Sequence, residues 1–241
     1  MKIRLDKYLA DMGCGTRSEL KKEIRRGNVT VNGVPVKSPE TKIDTETDKT
    51  VFRGQTVIYE QYEYFMLNKP AGVVSATSDR CEQTVTELIR DSKREDLFPA
   101  GRLDKDTEGL LLITNDGELA HRLLSPRKHI DKVYFARIEG MVTQEDADLF
   151  ARGVDIGDEK KTLPADLRIC SSGAISEITL TIREGRFHQV KRMFQAVGKR
   201  VIYLKRIRMG SLCLDESLKP GEYRKLTEEE VVELCSQGKK L

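Results

Sequence analysis

The sequence predicts an α+β protein in two parts, a small helix-helix-hairpin module over residues 1–58 and a larger domain over 59–241. Three observations carry that expectation. The N-terminal segment has two apolar runs at helical spacing, each closed by glycine, followed by an Asn-Gly turn between valine-rich runs. The remainder interleaves strand-like and helix-like segments without the regular alternation that a doubly wound parallel sheet needs. At 241 residues the chain has room for both parts, and it holds no internal repeat or low-complexity tract.

The elements follow in order. Ile3, Leu5, Leu9 and Met12, with Tyr8, recur at near-helical spacing and predict a first helix over 3–12, stopped by Gly13 and Gly15. Thr16 or Ser18 can cap a second helix that runs through Leu20 and Ile24 to Gly27. Val29 and Val31, the Asn32-Gly33 turn, and Val34 and Val36 read as a hairpin. Residues 38–49, with Ile43 their only apolar residue, read as a loop, and 51–58 resume strand-like alternation and close the module. Beyond it, strands are expected at 63–68, 110–114, 132–139, 164–170 and 175–182, and helices at 84–91, 117–125, 143–151 and 187–197.

Composition narrows the class. Cys14, Cys81, Cys170, Cys213 and Cys235 lie far apart without a Cys-x-x-Cys, and the three histidines add no metal-ligand spacing, so neither a disulfide framework nor a metal site is expected. Met1 to Leu9 is charged and lacks a signal-like apolar core, and no apolar run approaches the roughly 20 residues that span a bilayer. A reduced cytoplasmic protein with no membrane partner is expected.

Charge distribution says more than the net charge of +3. Residues 1–37 hold nine Lys or Arg against four acids, including Arg4, Lys7, Arg17, Lys21, Lys22, Arg25 and Arg26, with 17, 21 and 25 on one helix face. Alone, such a helix is as often a solvated surface. Residues 183–208 supply a second basic segment, nine Lys or Arg against Glu184 alone, with Phe187, His188, Phe194 and Tyr203 interleaved. Two basic segments on a nearly neutral chain suit two contacts to one polyanion, and the lack of a recognition-helix or zinc-finger pattern favours RNA over duplex DNA.

Residues 98–114 place Asp104, Asp106 and Glu108 in a glycine-containing loop that runs into the apolar stretch Leu110 to Ile113. Composition alone would make this a solvated acidic turn. The motif is more particular: Gly101-Arg102-Leu103-Asp104, Thr107, Gly109-Leu110-Leu111-Leu112 and Thr114-Asn115-Asp116-Gly117 resemble the signature of the RsuA-type ribosomal pseudouridine synthases. Leu67-Asn68-Lys69-Pro70 with Gly72, then Lys132-Val133-Tyr134, and Glu184-Gly185-Arg186-Phe187-His188-Gln189-Val190-Lys191-Arg192-Met193 extend the resemblance in the family's order over 63–210. The first module is similar to an S4 RNA-binding domain through Arg4-Leu5-Asp6-Lys7-Tyr8-Leu9, Thr16-Arg17-Ser18, Ile24, Gly27 and Val29 to Gly33.

The resemblance implies a mixed, mostly antiparallel sheet flanked by helices, and isomerisation of a uridine to pseudouridine without metal, nucleotide or redox cofactor. It assigns Asp104 the essential carboxylate, as nucleophile at C1′ or base at C2′. Lys191, which stands where related synthases often have Arg, would pair with Asp104 and favour its charged form. Tyr134 would lay its ring on the uracil and help remove the C5 proton, and Val190 would sit against the base, though a buried helix position fits it equally. Arg102 would fill the space left by the extruded uridine. Arg186, His188 and Gln189 would organise the substrate-facing motif loop, whereas Asp106 and Glu108 read as solvated or structural. Ribosomal RNA or an assembling particle is the implied partner, and a monomer is expected. The ending Leu218 to Glu230, without a long basic tail, looks like the small-subunit branch and places 16S rRNA first, ahead of 23S rRNA or a catalytically silent assembly factor.

Overall fold

In the computed structural model, which describes residues 1–237, internal packing divides the chain into two units, Met1–Glu63 with Arg90–Leu97, and Tyr64–Ile89 with the chain from Phe98 onward. Residues 238–241, the end of the region assigned to the larger domain, lie outside the described residues.

The first unit runs β1 (Lys2–Arg4), α1 (Leu5–Asp11), α2 (Arg17–Arg25), β2 (Val29–Val31), β3 (Val34–Pro35), β4 (Lys42–Asp44), β5 (Thr50–Phe52) and β6 (Gln55–Val57). Ile3 pairs with Ile43 across β1 and β4, so the residues expected to open the first helix form a strand and the helix starts at Leu5. Ile43 decides this, because it is buried with Leu5, Tyr8, Leu9, Leu20, Ile24 and Val29, and an apolar residue in a polar stretch finds that core only by pairing. Thr16 caps α2, its side chain accepting from the Glu19 amide while the Glu19 carboxylate accepts from the Thr16 amide. Such a box is worth about 1 kcal/mol. Residues 51–58 form a second hairpin, not one strand, because Arg53 and Gly54 both adopt positive φ between β5 and β6.

The second unit is built on β7 (Tyr64–Lys69), β8 (Phe98–Pro99), β9 (Glu108–Thr114), α3 (Gly117–Leu124), β10 (Lys132–Glu139), α4 (Gln144–Ala151), β11 (Asp166–Ser171), β12 (Ile175–Ile182), α5 (Gln189–Ala196), β13 (Arg200–Met209), β14 (Leu212–Cys213), β15 (Tyr223–Lys225) and α6 (Glu228–Ser236). Its sheet has the order β11-β12-β10-β13-β9-β7-β15, with β8 on β9 and β14 on β13. Only the β13–β9 pairing is parallel, so the sheet is mixed and mostly antiparallel. Alternation explains β12, where Ser176, Ile178, Leu180 and Ile182 are buried and their neighbours are not. β7 and β9 are buried along nearly their whole length and read as continuous apolar runs.

One expected helix does not form and one long strand was not anticipated, each for an identifiable reason. Residues 84–91 form turns, not a helix. Val85 and Ile89 are buried as their spacing suggests, but Thr84 bridges to Val74 and the Thr86 hydroxyl donates to the Thr77 carbonyl at 2.9 Å. β-Branched residues with such local partners gain little from a helix. The ten-residue strand β13 was hidden because its alternation is carried by Arg and Lys, and it nevertheless lies between β10 and β9.

Candidate functional site

The loop before β9 is held by its backbone. Buried Lys69, at the end of β7, donates from Nζ to the carbonyls of Pro70 at 2.9 Å, Lys105 at 3.2 Å and Thr107 at 2.9 Å. Burial pulls its pKa down to about 8, against the attraction of Asp106, Asp104 and Glu108. Ser75 Oγ donates to the Leu103 carbonyl at 2.8 Å and accepts from the Leu103 amide at 3.0 Å, and the Gly72 amide donates to Lys105. Gly109 completes the clamp, since a Cβ there would collide with the backbone oxygen of Arg206 on β13. Asp104 is therefore presented by a loop whose position does not depend on its own side chain.

Around the half-buried Asp104 carboxylate the structure assembles residues 85 or so positions away in the chain. Lys191 Nζ lies 3.1 Å from Asp104 Oδ2 and 2.6 Å from Asp106 Oδ1, and His188 Nε2 lies 3.7 Å from Asp104 Oδ1. Burial works against the Lys191 charge, but Asp106 and Asp104 hold its pKa above the ordinary lysine value. Burial likewise opposes ionisation of Asp106, and Lys191 prevails, holding that carboxyl below its usual range. Asp106, which the sequence suggested was solvated or structural, thus shares the cation. Glu108 accepts a hydrogen bond from the Tyr203 hydroxyl at 2.8 Å.

Strand register brings Tyr134 into relation with this loop. Leu180, Tyr134, Arg206, Gly109 and Lys69 form one row across β12, β10, β13, β9 and β7. Directly opposed residues project on one face, so the buried Tyr134 shares a face with the two cations Arg206 and Lys69. Arg206 Nε donates to the Leu110 carbonyl at 2.8 Å, while its buried Nη2 has no hydrogen-bond partner among the described residues. Two residues before Tyr134, buried Lys132 has a pKa lowered to about 8, by burial first and by Arg206 second.

The remaining motif residues divide. Glu184, nearly buried, accepts from the Gln189 amide side chain at 3.1 Å and the Leu163 backbone amide at 2.8 Å, and Gln189 Oε1 accepts from the Arg186 amide at 3.0 Å. Arg186 spends its guanidinium on Glu184, Asp158 and the carbonyls of Lys160 and Lys161. Gln189 and Arg186 hence brace the loop, and Val190 is buried in α5. Arg102 is exposed on the Asp104 loop. α5 starts at Gln189, later than expected, because His188 takes a left-handed φ of 49°.

In the first unit, Arg4 and Arg17 both bond Asp6, which is fully buried, and although burial opposes its charge the two guanidinium groups hold its carboxyl below the usual range. Lys7 pairs with Asp11 and Arg26 with Glu23. Lys21, Lys22 and Arg25 have no ion-pair partner among the described residues and are at least partly exposed.

Sequence reasoning missed Lys69, Ser75 and Arg206 as site-building residues. The place of Lys69 in the Leu67-Asn68-Lys69-Pro70 block, two residues past the apolar run Phe65-Met66-Leu67, was the available signal for it, whereas nothing local distinguishes Arg206 from its basic neighbours.

Comparison with known proteins adds independent findings. Residues 63–196 match the RNA pseudouridylate synthase family model, and residues 3–48 match the S4 domain. An uncharacterized RNA pseudouridine synthase of Bacillus subtilis is 48% identical over 231 residues, covering 95% of this chain and 97% of the relative. Ribosomal small subunit pseudouridine synthase A of Vibrio cholerae is 43% identical, covering 96% and 99%, and that of Escherichia coli K12 is 43% identical, covering 95% and 98%. A crystal structure of a pseudouridylate synthase is 40% identical with a TM-score of 0.68, covering 96% of this chain and 99% of that one.

Proposed function

The chain belongs to the RNA pseudouridylate synthase family, and we propose that it isomerises one uridine of 16S rRNA to pseudouridine, with Asp104 as the essential carboxylate. The observation that carries this reading is the Asp104 carboxylate on a backbone-pinned loop with the Lys191 ammonium 3.1 Å away. The N1–C1′ bond of the uridine breaks, the uracil turns, C5 bonds to C1′, the C5 proton leaves and N1 gains a proton, so substrate and product are isomers. Asp104 serves as nucleophile at C1′ or base at C2′. Tyr134, in the same strand row as Gly109 at the end of the Asp104 loop, stacks on the uracil and takes part in C5 deprotonation. Arg102, exposed on the same loop, occupies the gap left by the extruded base. Val190 lies against the base, while Arg186, His188 and Gln189 keep the motif loop in place.

Residues 1–58 act as the RNA-binding module and 59–241 as the catalytic domain of a cytoplasmic monomer that needs no cofactor. No helix among the described residues is long and apolar enough to cross a membrane. Within the module, Arg4 and Arg17 first serve the fold by neutralising buried Asp6, so Lys21, Lys22 and Arg25 make the stronger candidates for phosphate contacts. Changing these three to Gln should leave folding intact and reduce the slope of log affinity against log salt by about 2, at roughly 0.7 per contact. An unchanged slope in filter binding to rRNA would leave that helix face a solvated surface.

A pseudouridine map of rRNA from cells lacking the protein tests the function itself. One 16S position should lose its modification and regain it when the wild-type chain is supplied. A lost 23S position would move the substrate to the large subunit, and an unchanged map would overturn the reading.

A further inference from the structure

Phe187 is 75% exposed, more than the other large apolar side chains of the described residues, and it sits next to the site. Its ring stacks on His188 with centroids 3.8 Å apart and planes 19° from parallel, and His188 Nε2 is 3.7 Å from Asp104 Oδ1. Two parallel rings thus step from the candidate carboxylate out to solvent.

The segment that presents them is rigidly built. Below the ring pair, Glu184 and Gln189 brace each other and the backbone, and Arg186 is fixed by Asp158 and two carbonyls. Arg192 donates to the Phe187 carbonyl at 3.2 Å and pairs with Asp158 at 2.6 Å. His188 sits at a left-handed φ of 49°, a region that few non-glycine residues occupy and that histidine tolerates better than most, and this turn sets its ring beside that of Phe187. An apolar ring exposed to water on a braced backbone, beside Arg186 and Arg192, is ill suited to a solvated loop and well suited to a flat, weakly polar ligand on a polyanion.

We propose that Phe187, backed by His188, is a stacking platform for the unpaired base that flanks the target uridine. The proposal rests on the function proposed above, since it presumes that a uridine reaches Asp104. Extruding one nucleotide unstacks its neighbour, and an aromatic face outside the pocket replaces the lost stack and fixes the strand's entry angle. Such stacking tolerates any base identity, because every base has a π face. The platform therefore contributes affinity and register, not sequence choice.

Single-turnover pseudouridine formation on rRNA and immature ribosomal particles from cells lacking the protein tests this with wild type, Phe187→Ala, Phe187→Leu and Phe187→Tyr. The protein concentration giving half-maximal rate and the maximal rate are read separately. Ala and Leu should raise the half-saturating concentration about tenfold and change the maximal rate by less than about threefold, while Tyr stays within about twofold of wild type. An Ala variant within about twofold of wild type, or Leu equal to wild type, overturns the platform. So does a collapse of the maximal rate at unchanged half-saturation, which would put Phe187 in the chemistry. Wild-type protein that forms no pseudouridine would sink the proposed function, and this inference with it.

Discussion

An Asp104→Asn protein is expected to fold and bind rRNA as the wild type does while forming pseudouridine at least about 10⁴-fold more slowly. The fold survives because the loop is pinned through backbone atoms, by Lys69 on the Pro70, Lys105 and Thr107 carbonyls and by Ser75 on Leu103, none of which touches the Asp104 carboxylate. Lys191 keeps a carboxylate partner in Asp106, so no uncompensated ammonium is created. Asn has nearly the shape of Asp but is a poor nucleophile and a poor base, which isolates the chemistry. Thermal unfolding, filter binding and single-turnover product formation, measured together, separate the three properties. Asp106→Asn is the matched comparison: its carboxylate is 71% exposed, so losing the contact should cost less than about tenfold. If Asp104→Asn turns over within about tenfold of wild type and Asp106→Asn does not, the essential carboxylate is the other partner of Lys191.

That these two carboxylates share one lysine could not be read from spacing. The sequence placed Asp104, Asp106 and Glu108 in one loop and Lys191 in a distant basic segment, and resemblance joined only Asp104 to Lys191. Three-dimensional pairing then drew Asp106 to the same ammonium and turned Glu108 towards Tyr203. Strands whose alternation is apolar, such as β10 and β12, were legible almost to the residue, because burial of one face leaves a period of two. β13 was not, because Arg206 hides in the sheet with the chemistry of a surface residue, its aliphatic stem and a single Leu110 hydrogen bond replacing water. The same limit applies to residues 84–91, where the apolar spacing was real but Thr84 and Thr86 found partners outside any helix. In the first module, Ile43 was noticed as the only apolar residue of its stretch, and its significance emerged only with the core it enters.

Tyr134→Phe should bind rRNA within about threefold of wild type and lose roughly 10²- to 10³-fold in product formation, whereas Tyr134→Ala should lose both. The ring and the hydroxyl have separable tasks in the proposed mechanism. The ring supplies a face for the uracil, worth roughly 1 to 3 kcal/mol by such substitutions, and Phe preserves it. The hydroxyl, proposed to help remove the C5 proton, is absent from Phe. The substitution is structurally mild, since β10 is paired through its backbone to β12 on one side and β13 on the other, and the site is already buried. Among the described residues the Tyr134 hydroxyl makes no hydrogen bond and is not one of the fully buried unpartnered oxygens, so replacing it with hydrogen removes no internal bond that the fold relies on. The Ala variant opens a cavity in the row between Leu180 and Arg206, so its binding loss must be judged against its melting temperature. Tritium release from C5-labelled rRNA, followed in a single turnover beside the dissociation constant, reads the proton step directly. Release at the wild-type rate from Tyr134→Phe would remove the hydroxyl from the mechanism, leave Tyr134 a stacking and packing residue, and direct the search for the base to Asp104 itself.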